Sequence, residues 1–144
     1  MSAADDRPNP ASLTVLRISA AVTALGALAQ AGLGLAMVMG TRGILSAHSG
    51  IAYLTMAAAV VAGVAAGLWS RRGGNTGMMM HALTVAVLAV LQFGLGEMGM
   101  RTVHIAIGVA FLVAAVALAT LAYRKPYAAS PEGALNESTH HHEG

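Results

Sequence analysis

The chain has 144 residues, of which 56% are apolar and 10% charged, with a formal net charge of +2 and a mean hydropathy of +0.67. A water-soluble domain carries about one quarter charged residues, so this composition excludes one, and the few positive charges at segment ends give no reason to expect a nucleic-acid partner. The absence of cysteine excludes disulfides, thiolate zinc and iron–sulfur centres, and the Cys-x-x-Cys-His attachment of covalent haem.

Residues 1–12 are polar, with Asp5, Asp6, Pro8 and Pro10, and read as a short disordered tail. They lack the basic opening of a signal peptide, and the apolar run behind them is too long for one. The first helix is therefore expected to be a retained anchor. A membrane-crossing helix takes about 20 apolar residues. Four such runs fit, over 18–39, 47–69, 78–98 and 102–123, and they make one membrane domain over 13–125. Arg17 stands at the head of the first run, where its long stem lets the charge reach the headgroups. The first loop, 40–46, carries Arg42. The second, 70–77, reads Ser-Arg-Arg-Gly-Gly-Asn-Thr-Gly, a turn with two positive charges. The third, 99–101, is very short. Beyond Tyr123, Arg124 and Lys125 lead into a polar tail, 126–144, expected to stay unstructured. Its triplet His140–His142 reads as a weak chelator or an incidental run.

Basic residues collect on the cytoplasmic side of a membrane. Arg7, Arg17, Arg71, Arg72, Arg124 and Lys125 fall on one side; Arg42 and Arg101 fall on the other, with Glu97 nearby. Both termini are thus expected in the cytoplasm, with the chain in a bacterial inner membrane.

The chain carries one pattern twice. Gln30-Ala-Gly-Leu-Gly is followed by His48 and an apolar run to Trp69; Gln92-Phe-Gly-Leu-Gly is followed by His104 and an apolar run to Tyr123. Gln30 aligns with Gln92, Gly32 with Gly94, Gly34 with Gly96 and His48 with His104, the first copy being longer between the glycines and the histidine. The expected fold is an all-α integral membrane bundle of four antiparallel helices built from two tandem helical-hairpin repeats.

Ionisable residues within a membrane are costly and face the bundle interior. A single such histidine is most often an interhelical hydrogen-bonding group. Two at matching places of a repeat are different, because parallel repeats are related by an axis along the membrane normal, and equivalent residues then face each other across it. Two facing imidazoles are suited to ligate one iron from opposite sides. His48 and His104 are therefore the candidate metal ligands for one haem b per chain. From His48 the same face reads Ala52, Thr55, Ala59 and Gly63; from His104 it reads Gly108, Phe111 and Ala115. These small residues leave room for a macrocycle, or equally let helices pack closely, as Gly63-x-x-x-Gly67 would. Arg42 and Arg101 are candidates to pair with haem propionates, or they serve as interface anchors; Glu97 and Arg101 are also spaced to pair with each other. Gln30 and Gln92 are candidates for a hydrogen bond behind the ligands, or for plain interhelical bonding.

Two other readings stand beside this one. One is a cofactor-free assembly or structural subunit, its histidines merely bridging helices. The other is a copper-handling protein using the histidines with Met37, Met39, Met98 and Met100 at the outer end. His81 has no second histidine at its depth.

The duplicated Gln-x-Gly-Leu-Gly segments, with His48 and His104 opening the second and fourth helices, resemble one four-helix half of the haem A synthase family of cytochrome-oxidase assembly proteins. The resemblance covers the membrane region, about 18–124. It implies a haem held between those two histidines. It argues against the family's haem-oxidising chemistry. Where the family has Glu-x-x-His-Arg, this chain has Leu45-Ser46-Ala47-His48-Ser49, and both the outer-loop cysteine pair and the second half are missing. No catalytic residue is expected, and the role implied is electron transfer or haem holding and delivery. Expected partners are the lipid bilayer, haem, and either a second copy or a larger respiratory or assembly complex.

Overall fold

Four helices account for almost all of residues 10–124, the part that the computed structural model describes: α1 Pro10–Val38, α2 Leu45–Ser70, α3 Thr76–Glu97 and α4 Arg101–Tyr123. All four are long and apolar enough to cross a membrane, and the chain is an integral membrane four-helix bundle. α1 begins at Pro10, earlier than the sequence suggests. Proline suits a first helical position because its missing N–H would have no partner there. The expected tails before residue 10 and after residue 124, with the His140–His142 triplet, lie outside the described residues.

Short loops make successive helices antiparallel. α1 and α3 each pack on both α2 and α4, while the backbones of α1 and α3, and of α2 and α4, stay apart. The bundle is therefore a square, with α2 and α4 on one diagonal. Both hairpins reverse direction in the same way. Gly40 and Gly99 adopt φ of +92° and +70°, a left-handed conformation that costs glycine little. The residues after them close the helix ends: Thr41 N–H donates to the Ala36 carbonyl and Met100 N–H to the Leu95 carbonyl, both at 3.0 Å. α3 starts with Asn75, whose Oδ1 accepts from Met78 N–H at 2.9 Å.

The buried apolar residues are alanine except for Leu16, Val85, Phe111 and Leu118, whereas valine, leucine and isoleucine crowd the exposed surface. Lipid chains are as apolar as leucine, so little is gained by burying large side chains inside. Small ones let backbones approach and gain packing. The repeat is visible in this core. In the register that pairs Gln30 with Gln92, buried Ala20, Thr23 and Ala27 fall on buried Ala82, Val85 and Ala89. In the register that pairs His48 with His104, Thr55, Ala59, Ala62 and Ala66 fall on Phe111, Ala115, Leu118 and Ala122.

Buried hydroxyls are satisfied within helices, and Arg17 and His81 bond between them. Ser19, Thr23 and Thr55 return their hydroxyls to carbonyls one turn back in their own helices. Arg17 Nε donates to the Ala122 carbonyl at 2.8 Å, and its guanidinium lies 5.9 Å from the centre of the Tyr123 ring. It thus satisfies a carbonyl that the end of α4 leaves open. His81 Nε2 donates to the Ala114 carbonyl at 3.0 Å, linking α3 to α4. Gly63 faces α3: a Cβ there would lie 3.4 Å from Ala86 Cβ and 3.7 Å from the Ala82 carbonyl oxygen. The Gly63-x-x-x-Gly67 pattern therefore serves packing within the bundle at its first glycine.

Candidate functional site

His48 and His104 are each the fourth residue of their helices, α2 and α4. Both helices begin at the same end of the bundle, because α1 and α3 run parallel. Position and topology together bring the two rings across the diagonal at one depth, with centroids 6.3 Å apart and planes inclined at 65°. The faces below them point inward: Thr55, Ala59 and Gly63 under His48, and Phe111 and Ala115 under His104, are all buried.

Each histidine rests against a repeat glycine. A Cβ at Gly96 would lie 3.2 Å from His104 Cε1 and 3.3 Å from its Nδ1, and a Cβ at Gly34 would lie 3.9 Å from His48 Cε1. The second glycine of each Gln-x-Gly-Leu-Gly is thus where α1 and α3 make room for an imidazole. The glutamines lie beside them and act differently. Gln30 Nε2 donates to the His48 backbone carbonyl at 2.6 Å. His104 Nδ1–H donates to the Gln92 backbone carbonyl at 3.0 Å, since a carbonyl only accepts. That fixes the tautomer and leaves the lone pair on Nε2. Gln92 Nε2 then donates to that lone pair at 3.3 Å. Gln92 Oε1 and His48 Nδ1 are buried without a hydrogen-bond partner. A buried polar atom left unpaired costs about 1–3 kcal/mol, so the site keeps unsatisfied polar capacity on both sides.

The other candidates sit at the rim. Arg42 and Arg101 are exposed, at the same end as the histidines. No ion pair joins Arg101 to Glu97 among the described residues. Met39 and Met98 are 78% and 72% exposed, Met100 is exposed as well, and Met37 is half-buried. No three His, Cys, Asp or Glu side chains come together among the described residues. His48 and His104 are the two ring donors that come together at this end. Sequence reasoning did not foresee the pair Tyr53 and Phe93, whose rings lie 4.8 Å apart with planes inclined at 56° and join α2 to α3 just below the site. Neither residue belongs to the repeat pattern, and only the rotation of each helix brings them together.

Two imidazoles are a donor pair able to hold a metal ion, once the Gln92 amide leaves the His104 Nε2 lone pair it now occupies. Two imidazoles bound by one nitrogen each to opposite sides of one metal ion, at about 2 Å per bond, have ring centres roughly 6 Å apart. The observed separation matches that spacing. A ring bonded through Nδ1–H to a carbonyl, with Nε2 free of a proton, is the form a metal-binding histidine takes. No protein-family model, curated protein or solved structure matches the chain.

Proposed function

We propose that the chain is a membrane b-type haem protein, with one haem held by His48 and His104, that serves electron transfer or haem holding and delivery. The observation that carries this reading is the imidazole pair at 6.3 Å across the α2–α4 diagonal. A haem with two nitrogen ligands supplies one-electron chemistry and leaves no open position for oxygen activation. His104 is held as a ligand by the Gln92 carbonyl, while Gly34 and Gly96 give both rings space. Arg42 and Arg101 stand at the rim, where propionates would meet cationic partners. Leu45 occupies the place where the resembling enzymes keep a glutamate, which argues against haem oxidation. With Arg71, Arg72 and Arg124 at the opposite end, the haem would lie toward the outer leaflet of a bacterial inner membrane, with both termini cytoplasmic.

The second reading, a cofactor-free bundle, draws on the contact between Gln92 Nε2 and His104 Nε2, which satisfies that histidine without a metal. One experiment separates the two. Protein purified from haem-replete cells should show a sharp Soret band that shifts on reduction, and His48→Ala and His104→Ala should each abolish the bis-histidine spectrum. A colourless protein, or single variants with the wild-type spectrum, would refute the haem reading.

A further inference from the structure

The end of the bundle opposite the histidines carries a groove of about 230 Å³ on the outer surface between α1 and α2. Ser12 and Val15 of α1 line it, with Val60, Val64, Ala65 and Leu68 of α2. Ala65 is buried and forms the floor, while Val15, Val60, Val64 and Leu68 are exposed and stand as walls. A small residue between larger ones leaves a channel along the helix. From Val60 to Leu68 it runs about 12 Å, at 1.5 Å per residue. One leaflet is about 15 Å of hydrocarbon, half of the bilayer core. The channel is therefore nearly as long as a leaflet is deep.

Its mouth is cationic. Val60, Val64 and Leu68 recur every four residues, and Arg71 and Arg72 continue the same stripe. Arg71 keeps helical angles, φ −63° and ψ −15°, and its N–H donates to the Gly67 carbonyl at 3.2 Å. Its side chain therefore leaves α2 on the side of Val64, two turns back. Gly73, at φ +86°, then reverses the chain. Gly74 lies against the Trp69 ring, which a Cβ there would strike, and its N–H donates to the Trp69 carbonyl at 3.1 Å. The turn is clamped to α2, which fixes the backbone from which both exposed guanidiniums reach. Glu97, the sole acid among the described residues, lies at the other end of the bundle. Arg17 is turned away from the groove, toward Ala122 of α4.

We propose that this groove binds one anionic phospholipid: an acyl chain lies along α2 over Ala65, and the headgroup phosphate pairs with Arg71 and Arg72. Guanidinium and phosphate form parallel charge-assisted bonds, and basic pockets between membrane helices hold acidic headgroups. A zwitterionic headgroup brings its own cation, which two arginines repel and which no acid of the described chain receives at this end. The site does not depend on the haem reading.

Trp69 is the only tryptophan, and it stands one turn beyond Ala65, so its fluorescence reports on the groove. The test uses the full-length protein in vesicles of phosphatidylcholine and phosphatidylglycerol. One lipid at a time carries bromine on its acyl chains near the carboxyl end, and bromine quenches indole on contact. The wild-type protein should favour phosphatidylglycerol about tenfold, the scale of two basic residues meeting an acidic headgroup. Arg71→Gln should lower that preference about fivefold. Arg124→Gln removes the same charge at the same end, but from α4, and should leave it unchanged. Both arginines are exposed, so neither change disturbs the packing. Val64→Phe fills the channel and should reduce quenching by brominated phosphatidylglycerol to the level of brominated phosphatidylcholine. Equal quenching of the wild type by the two lipids would overturn the proposal. So would equal losses in Arg71→Gln and Arg124→Gln, which would mark a diffuse surface charge. Disulfide-linked dimers of Val64→Cys in dilute vesicles would also overturn it, by placing a second copy in the groove. A colourless protein would refute the haem reading and leave this one standing.

Discussion

Gly26→Ala tests how the helix contact beneath the site is built. On an exposed helix the change should stabilise by about 1 kcal/mol, because glycine is the poorer helix former. Here the added Cβ would collide with Thr55 Oγ1 and lie 3.1 Å from both Thr55 Cβ and Cγ2. Thr55 cannot easily give way: it is 3% exposed, its branched side chain is stiff, and its hydroxyl is bonded to the Ile51 carbonyl at 2.7 Å. The helices must separate instead. Overpacking of this kind costs about 1–3 kcal/mol, enough to reverse the propensity gain. Thr55→Ala removes Oγ1 and Cγ2 and leaves one contact of 3.1 Å, so in that background Gly26→Ala should be close to neutral. The expected coupling between the two positions is about 1–3 kcal/mol. It would be read from reversible unfolding of the four single and double variants in mixed micelles, followed by helical circular dichroism. Because Gly26 lies one turn below Gln30, and Thr55 two turns below His48, the single variant should also broaden the absorption band expected on the proposed haem reading. A stabilised Gly26→Ala, or strictly additive effects, would refute the reasoning.

Other expectations follow from single contacts. His81→Ala removes the 3.0 Å bond from α3 to Ala114 and should cost about 1 kcal/mol; on the proposed haem reading the spectrum should stay as in wild type, because His81 lies at the opposite end of α3 from Gln92. Arg17→Leu removes the bond to the Ala122 carbonyl and the charge beside Tyr123. For a half-exposed group the loss should be about 1 kcal/mol, seen as faster amide exchange at the end of α4. Asn75→Ala should cost about 1 kcal/mol through the lost N-cap, and exchange at the Met78 amide should report it. A reporter fused after Lys125 should be active only in the cytoplasm; activity confined to the outside would reverse the topology.

The four helices and the repeated histidines were legible because length and self-similarity survive in a membrane sequence. The inward faces were harder to read. In a soluble helix an apolar stripe marks the core, but here the lipid-facing side is just as apolar. What distinguishes inside from outside is size: Ala59, Ala62 and Ala66 face in, while Val60, Val61 and Val64 face out. The sites of close approach, Gly26 on Thr55 and Gly108 on Gln92, depend on how each helix is rotated, which no spacing rule supplies. The Arg17 partner is remote for the same reason: it lies at the far end of the sequence, on α4. The Gln92 contact with His104 was within reach of the repeat, since Gln30 and Gln92 align. The difference between the two glutamines was not, because it depends on which atoms of each histidine the rotated helices bring within reach.

The matched buried positions of the two hairpins set what an exchange of hairpins between two copies would rebuild. Each hairpin presents to the other a face whose spacing its own sequence repeats, and a loop of only five residues, Arg71 to Asn75, separates α2 from α3. If that loop straightened, the α3–α4 hairpin of one chain would find its cradle on the α1–α2 hairpin of another. Such an exchange rebuilds every inward contact without inventing an interface. Two intertwined chains would then enclose two histidine pairs, each drawn from both molecules, and the population of that form would rise with protein concentration in the membrane.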